Sequence, residues 1–165
     1  MVNPTKNAQD IERTMNCQRC VVAHEARMRG FDVIARATWG FEDPLLKVRE
    51  WLKVFADENK EILRCKGDTV TEIEKFIVST MVTWGANSRA FVWFEIKSDV
   101  DMGGLNHVIV AQLNENGFVN FLDPQSREIG AIRCLSEAKL DSVKIMRVDK
   151  LNFTDLVKRC CVNRE

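Results

Sequence analysis

The sequence predicts an α+β fold in which helices come first and an antiparallel sheet follows. At 165 residues and 45% hydrophobic content the chain can bury one sizeable core. Its first half carries helix-compatible stretches with apolar residues three and four positions apart. From Ala90 onward it changes to short segments rich in Val, Ile and Phe, separated by Gly, Asn, Asp and Pro. That order places a sheet after the helices, with the helices on one of its faces.

Residues 1–14 read as a flexible lead-in, rich in Asn, Thr and Gln, and residues 15–165 as a single domain. The first helix lies within the stretch Thr14 to Gly30: Asn16 is a good N-cap, about four turns of helix-compatible sequence follow, and Gly30 can close the helix in the left-handed conformation that glycine tolerates. Phe31 to Ala37 suggests a strand. A second helix starts at Asp43-Pro44, with Leu45, Leu46, Val48, Trp51, Leu52 and Phe55 on its apolar face. Lys66-Gly67-Asp68 breaks the chain, and Thr69 or Thr71 caps a third helix through about Met81, which leaves by Trp84-Gly85-Ala86-Asn87. Ala90–Ile96, Asn106–Leu113, Gly117–Leu122 and Val143–Val148 read as strands, and Phe153–Cys161 as a closing helix. Trp39, Trp51, Trp84 and Trp93 read as core or wall residues.

Composition disfavours several functional classes. Lys plus Arg equals Asp plus Glu at 24 each, so no global field favours a nucleic-acid partner or an anionic membrane surface. No apolar run approaches a membrane span, and the polar start has none of a signal peptide's apolar core. Six irregularly spaced cysteines in a chain this long read as reduced thiols, not as a disulfide scaffold.

Two stretches carry chemistry. Cys17 falls at the first helical position, where free backbone N–H groups and the positive end of the helix dipole favour a thiolate. The second stretch is a hairpin turning at Asn114-Glu115-Asn116-Gly117, with His107 at the start of one strand and Asp123 at the end of the next. Ile109, Ala111 and Leu113 share the face of His107, while Val119 and Phe121 share that of Asp123; Gln112 and Asn120 lie on the opposite faces. Burying both apolar sets on one core face fixes a register that also brings His107 and Asp123 to the same face at the same end. A three-residue loop with Asn116 or Gly117 left-handed would set that register. Cysteine, histidine and acid in this order make the nucleophile, base and orienting group of an acyl-transfer triad. The N–H groups of Cys17 and Gln18 would form part of an oxyanion hole, to which the Asn16 side chain could add a donor. Gln125 either lines the cleft or satisfies turn backbone.

Asn16-Cys17-Gln18-Arg19-Cys20, Glu25-Ala26-Arg27, Arg29-Gly30-Phe31-Asp32-Val33, Asn106-His107-Val108 and Phe121-Leu122-Asp123-Pro124-Gln125 resemble the papain-fold toxin (Tox-PL) domains described as glutamine deamidases. Those domains end bacterial polymorphic toxins and phage head-morphogenesis proteins. The tail Ile145-Met146-Arg147-Val148-Asp149 with Leu156-Val157-Lys158-Arg159-Cys160 is also similar to that group. The resemblance implies a papain-like α+β fold with the cysteine-bearing N-terminal helix packed on an antiparallel sheet. Its Cys, His and Asp fall on Cys17, His107 and Asp123. It implies a toxin that deamidates a protein glutamine in the cytoplasm of a target cell without metal or organic cofactor, and an immunity protein in the producing cell. The Cys-Gly-Ser-Cys-Trp signature of papain and cathepsins is absent, and Ile11 stands where those enzymes keep a glutamine six residues before the nucleophile.

Other readings stay open at this level. A peptidase would use the same machinery with a different leaving group, and a catalytically silent binding or capsid-associated module would keep only the fold. Zinc could use Cys17, Cys20 and His24, but a second Cys or His pair is missing. A redox Cys-x-x-Cys would need a βαβ frame that this order of elements does not provide. Taken alone, Cys20 is a packed small hydrophobe and His24 a solvated helix residue.

Overall fold

A computed structural model describes residues 16–37, 50–97 and 105–164. In chain order the elements are helix α1 (Cys17–Met28), strand β1 (Val33–Ala35), a 3-10 helix (Glu50–Val54), β2 (Ile62–Arg64), helix α2 (Val70–Trp84), β3 (Arg89–Glu95), β4 (Asn106–Leu113), β5 (Val119–Leu122), a one-turn helix α3 (Ala131–Cys134), a 3-10 turn (Leu140–Ser142), β6 (Lys144–Arg147), a one-turn helix α4 (Val157–Cys160) and β7 (Cys161–Asn163). The described residues fall into two compact units, those within Met1–Asn59, Pro124–Ser126 and Leu151–Glu165 in one and those within Lys60–Asp123 and Arg127–Lys150 in the other.

In the first unit β1 and β7 make a two-stranded antiparallel ribbon, Val33 opposite Asn163 and Ala35 opposite Cys161. Helix α1 lays Cys20, Ala23 and Ala26 against Val33, Ala35 and Cys161. Those small side chains let the helix and ribbon backbones come close, so few bulky groups are needed to exclude water. Two arginines of α1 and its end reach back to the tail of the chain. Arg19 donates to the Arg159 carbonyl in α4. Arg29 bonds Glu25 Oε1 at 2.8 Å and the Leu151 carbonyl at 2.7 Å, with its guanidinium 4.3 Å above the Phe153 ring. Phe153 stacks on Phe55 at 5.2 Å.

The tail corrects one sequence expectation. Phe153–Cys161 is not a closing helix: only Val157–Cys160 makes a helical turn, and the chain extends at Cys161 (φ −142, ψ 160) into β7. The partner that draws Cys161 and Val162 into a strand is β1, more than a hundred residues earlier, so local propensity could not reveal it. The expected second helix lies largely outside the described residues. Where the chain is described again, Glu50–Val54 is a 3-10 helix with Trp51 and Leu52 buried. Trp39 and the lead-in also lie outside.

The second unit is the α+β core that the order of elements predicts. Its sheet runs β2-β6-β3-β4-β5, antiparallel throughout, and α2 packs on it through Ile73, Ile77 and Met81. Thr69 caps α2 in a reciprocal box with Glu72, and Gly85 takes a positive φ of +93 at the exit. Facing the helix are Ala90, Val92 and Phe94 of β3 with Ile109, Ala111, Leu113 and Phe121. Each Ile or Phe fully buried here contributes roughly 1.5–3 kcal/mol. Val108, Val110, Phe91 and Met146 on the alternate positions are buried too, so the central strands are apolar on both sides, beyond what the polar Gln112 and Asn120 suggest. The edge strand β2, only three residues long, is not separable from loop by composition.

Candidate active site

The hairpin that joins β4 to β5 has the anticipated loop. Asn114 N–H donates to the Phe118 carbonyl at 2.9 Å, enclosing Glu115-Asn116-Gly117, and Gly117 is left-handed at φ +83. The Asn114 side chain accepts the N–H groups of Asn116 and Phe118 at 3.0 and 2.9 Å, which fixes the turn from inside. Register follows: Leu113 pairs with Val119, Ala111 with Phe121 and Val110 with Leu122. One step further Asp123 comes opposite Ile109, and His107 lies two residues along the same face of β4.

The structure therefore brings His107 and Asp123 together, with His107 Nε2 and Asp123 Oδ2 2.8 Å apart. Asp123 is 4% exposed, and the His107 side chain 18%. Asp123 is held by its backbone as well: its N–H donates to the Glu128 carbonyl at 2.9 Å, and its carbonyl accepts the Arg127 N–H at 2.7 Å. Arg127 takes a left-handed φ of +71 to close that loop, a conformation unfavourable for a residue with a Cβ. On the other side Phe94, directly across from His107 in the β3–β4 register, sets its ring edge-on to the imidazole at 5.7 Å. Cross-strand pairing is the signal in the sequence that points to Phe94, once β3 is registered on β4 in the way the hairpin registers β5.

Close behind the carboxylate lies Cys134, whose thiol donates to the Glu128 carbonyl at 3.5 Å. Burial, and then the charges of Asp123 and Glu128, push this thiol up to about 11. Burial alone pushes Cys65 up to about 12. Both are protonated packing groups at neutral pH.

Cys17, Asn16 and Gln18 belong to the first unit, at the start of α1. Cys17 is the first helical residue and is 7% exposed. The first bond of the helix is Cys20 N–H to the Asn16 carbonyl at 2.9 Å, so the N–H groups of Cys17 and Gln18 precede the ladder. Asn16 stands at the N-cap position but does not cap: its Nδ2 donates to the Arg36 carbonyl at 3.2 Å, and its Oδ1 accepts the Cys20 thiol at 3.4 Å. That corrects the sequence expectation, because a tertiary partner has taken the side chain that propensity assigns to the helix end. It also gives Cys20 a polar role beyond packing. Gln18 is buried, and among the described residues no partner reaches its Oε1. Gln125, two residues past Asp123, is buried in the turn that follows.

Among the described residues no three His, Cys, Asp or Glu side chains converge to hold a metal ion, and no helix is long and apolar enough to cross a membrane. No curated protein matches the chain. A family model does: Papain fold toxin 1, glutamine deamidase, matches residues 15–128, which include Cys17, His107 and Asp123. The match covers more than half of the chain, and its α+β architecture with a cysteine at the head of the first helix agrees with that family: the chain belongs to the papain-fold toxins described as glutamine deamidases.

Proposed function

We propose that the chain is a thiol-dependent deamidase of protein glutamine, an effector toxin that works in the cytoplasm of a target cell through a Cys17–His107–Asp123 triad. The observation that carries the reading is the 2.8 Å bond between His107 Nε2 and Asp123 Oδ2, built by a hairpin register inside a chain of this family. A carboxylate on Nε2 holds the ring proton there and directs Nδ1 to acid–base work.

The reaction then runs in two halves. His107 takes the Cys17 thiol proton, and the sulfur attacks the carboxamide carbon of a glutamine side chain. Charge collects on the former carbonyl oxygen, which the N–H groups of Cys17 and Gln18 receive. The imidazolium returns its proton to the amide nitrogen, the C–N bond breaks and ammonia leaves, with a thioester on Cys17. Water, deprotonated by His107, attacks the thioester; the C–S bond breaks, and glutamate and the thiol are released. Asp123 stabilises the imidazolium in both halves. Gln125 lines the cleft. No step calls for a metal or organic cofactor, and a cognate immunity protein would act by covering the site.

The test is incubation of wild-type and Cys17→Ala protein with bacterial and host lysates. Ammonia release with a gain of roughly 1 Da on intact substrate proteins, lost in the variant, is the expected result. New peptide termini without ammonia would make the chain a peptidase. Neither change in any lysate would favour a silent binding module.

A further inference from the structure

Asparagine is among the best helix N-caps, and at position 16 it fails to act as one. Its backbone (φ −108, ψ 26) lies outside the extended region that a capping residue normally takes. Its side chain is fully buried and engaged at both ends, Nδ2 on the Arg36 carbonyl and Oδ1 under the Cys20 thiol. Cys20 is fully buried too, one turn along the helix, at the i+4 spacing that stacks side chains on one face. The consequence falls on the first turn. With Asn16 held away, its side chain does not occupy the N–H groups at the head of α1, where Cys17 is the first residue. Gln18 adds an independent sign that this end is not built for stability, because the residue is 7% exposed and its Oε1 is buried with no partner among the described residues.

We propose that Asn16 and Cys20 are positioning residues: bonded to each other and to Arg36, they withhold a natural cap from helix α1 and so keep the N–H of Gln18, a donor that a cap would take, open beside that of Cys17 to a substrate oxyanion. The proposal rests on the deamidase reading given above and extends it, by giving the second cysteine of Cys17-x-x-Cys20 a role that is neither metal binding nor redox chemistry. Removing the thiol leaves Asn16 held by Arg36 alone, and a shift of residue 16 to the extended region would then turn Oδ1 onto the helix end, where it would compete with the oxyanion for the Gln18 N–H. A serine at position 20 keeps a donor in place, whereas a serine at position 16 is too short to reach Arg36 and caps instead.

The experiment compares Cys20→Ala, Cys20→Ser and Asn16→Ser with wild type in two ways. The first needs no substrate: crystal structures or amide NMR of each variant show whether the residue-16 side chain accepts an N–H of the first turn. The second is ammonia release from an N-blocked glutamine dipeptide. Capping is expected in Cys20→Ala and Asn16→Ser, with kcat down about 100-fold at little-changed KM, as for loss of an oxyanion donor. Cys20→Ser should remain uncapped and active. Cys20→Ala with Asn16 still on Arg36, or with wild-type kcat, would overturn the positioning claim. Should Cys20→Ala not fold, Asn16→Ser decides by the same two readouts. Wild type that releases no ammonia from the dipeptide or from any protein would instead overturn the deamidase reading, while the capping result still stands or falls by itself.

Discussion

Replacing Asp123 by asparagine isolates the contribution of its charge. The two side chains are nearly isosteric, and the amide can still offer its oxygen to the Nε2–H of His107, so the geometry of the pair survives while the negative charge is lost. The 2.8 Å bond is charge-assisted whenever the imidazolium forms, and at 4% and 18% exposure water cannot take over for the carboxylate. Bonds of this kind contribute about 1.5–3 kcal/mol net. If that energy is available only when His107 is charged, at about 1.4 kcal/mol per decade kcat falls about 10- to 150-fold. The assay is steady-state ammonia release, with thermal unfolding run in parallel to exclude a folding defect. His107→Gln alone and combined with Asp123→Asn completes the cycle: the double variant should be no slower than His107→Gln, since the carboxylate acts only through the imidazole. An Asp123→Asn enzyme within about twofold of wild type would refute this reasoning, and so would losses that multiply in the double variant.

Other expectations concern stability and thiol reactivity. Burial pushes the Asp149 carboxyl up, but its bonds to the Arg147 guanidinium and the Arg89 N–H, with the Arg147 charge, outweigh that and leave it below the usual carboxylate range. The unfolded chain then binds the extra proton, so this stability is present above about pH 4 and fades as pH falls through the lower folded value. Asp149→Asn should cost about 1–3 kcal/mol in urea unfolding at pH 7, and the difference should shrink progressively as pH falls below about 4; a constant difference would contradict the account. Gln18→Met replaces an orphaned buried carbonyl with an apolar chain of similar length and should raise stability by about 1–2 kcal/mol, measured as a higher urea midpoint at unchanged slope. Iodoacetamide at pH 7.5 should leave Cys65 and Cys134 unmodified in the folded protein, since burial holds both thiols protonated at about 12 and about 11. Peptide mapping should find Cys17 labelled first.

What composition and spacing convey, and what they do not, divides along the range of the forces involved. The β4–β5 hairpin and its register follow from Asn114 to Gly117 and from two apolar faces, all within twenty residues, and they are enough to bring His107 to Asp123. The α2 cap at Thr69 is equally local. Strand β7 is not: it is three residues directly after a helical turn, too short to carry a pattern of its own, and its pairing partner β1 is distant in sequence. Strand β2 is three residues on a sheet edge with an intermediate centre and exposed flanks, so it carries no alternation to read. Asn16 shows propensity overruled at the site itself, where Arg36 and Cys20 claim a side chain that any capping rule would assign to the helix. A local rule broken beside the proposed nucleophile is itself informative, because a stable helix end and an open one make opposite demands.

The central claim is that Cys17 is acylated by a glutamine side chain with loss of ammonia. It is tested most directly by acid-quenching the wild-type protein during turnover of an N-blocked glutamine dipeptide, then locating the adduct by intact mass and peptide mapping. The account predicts an adduct on Cys17 about 17 Da lighter than the added dipeptide, cleared by hydroxylamine and absent from Cys17→Ala. Ammonia release with no adduct on Cys17, or with the adduct on another cysteine, would contradict it.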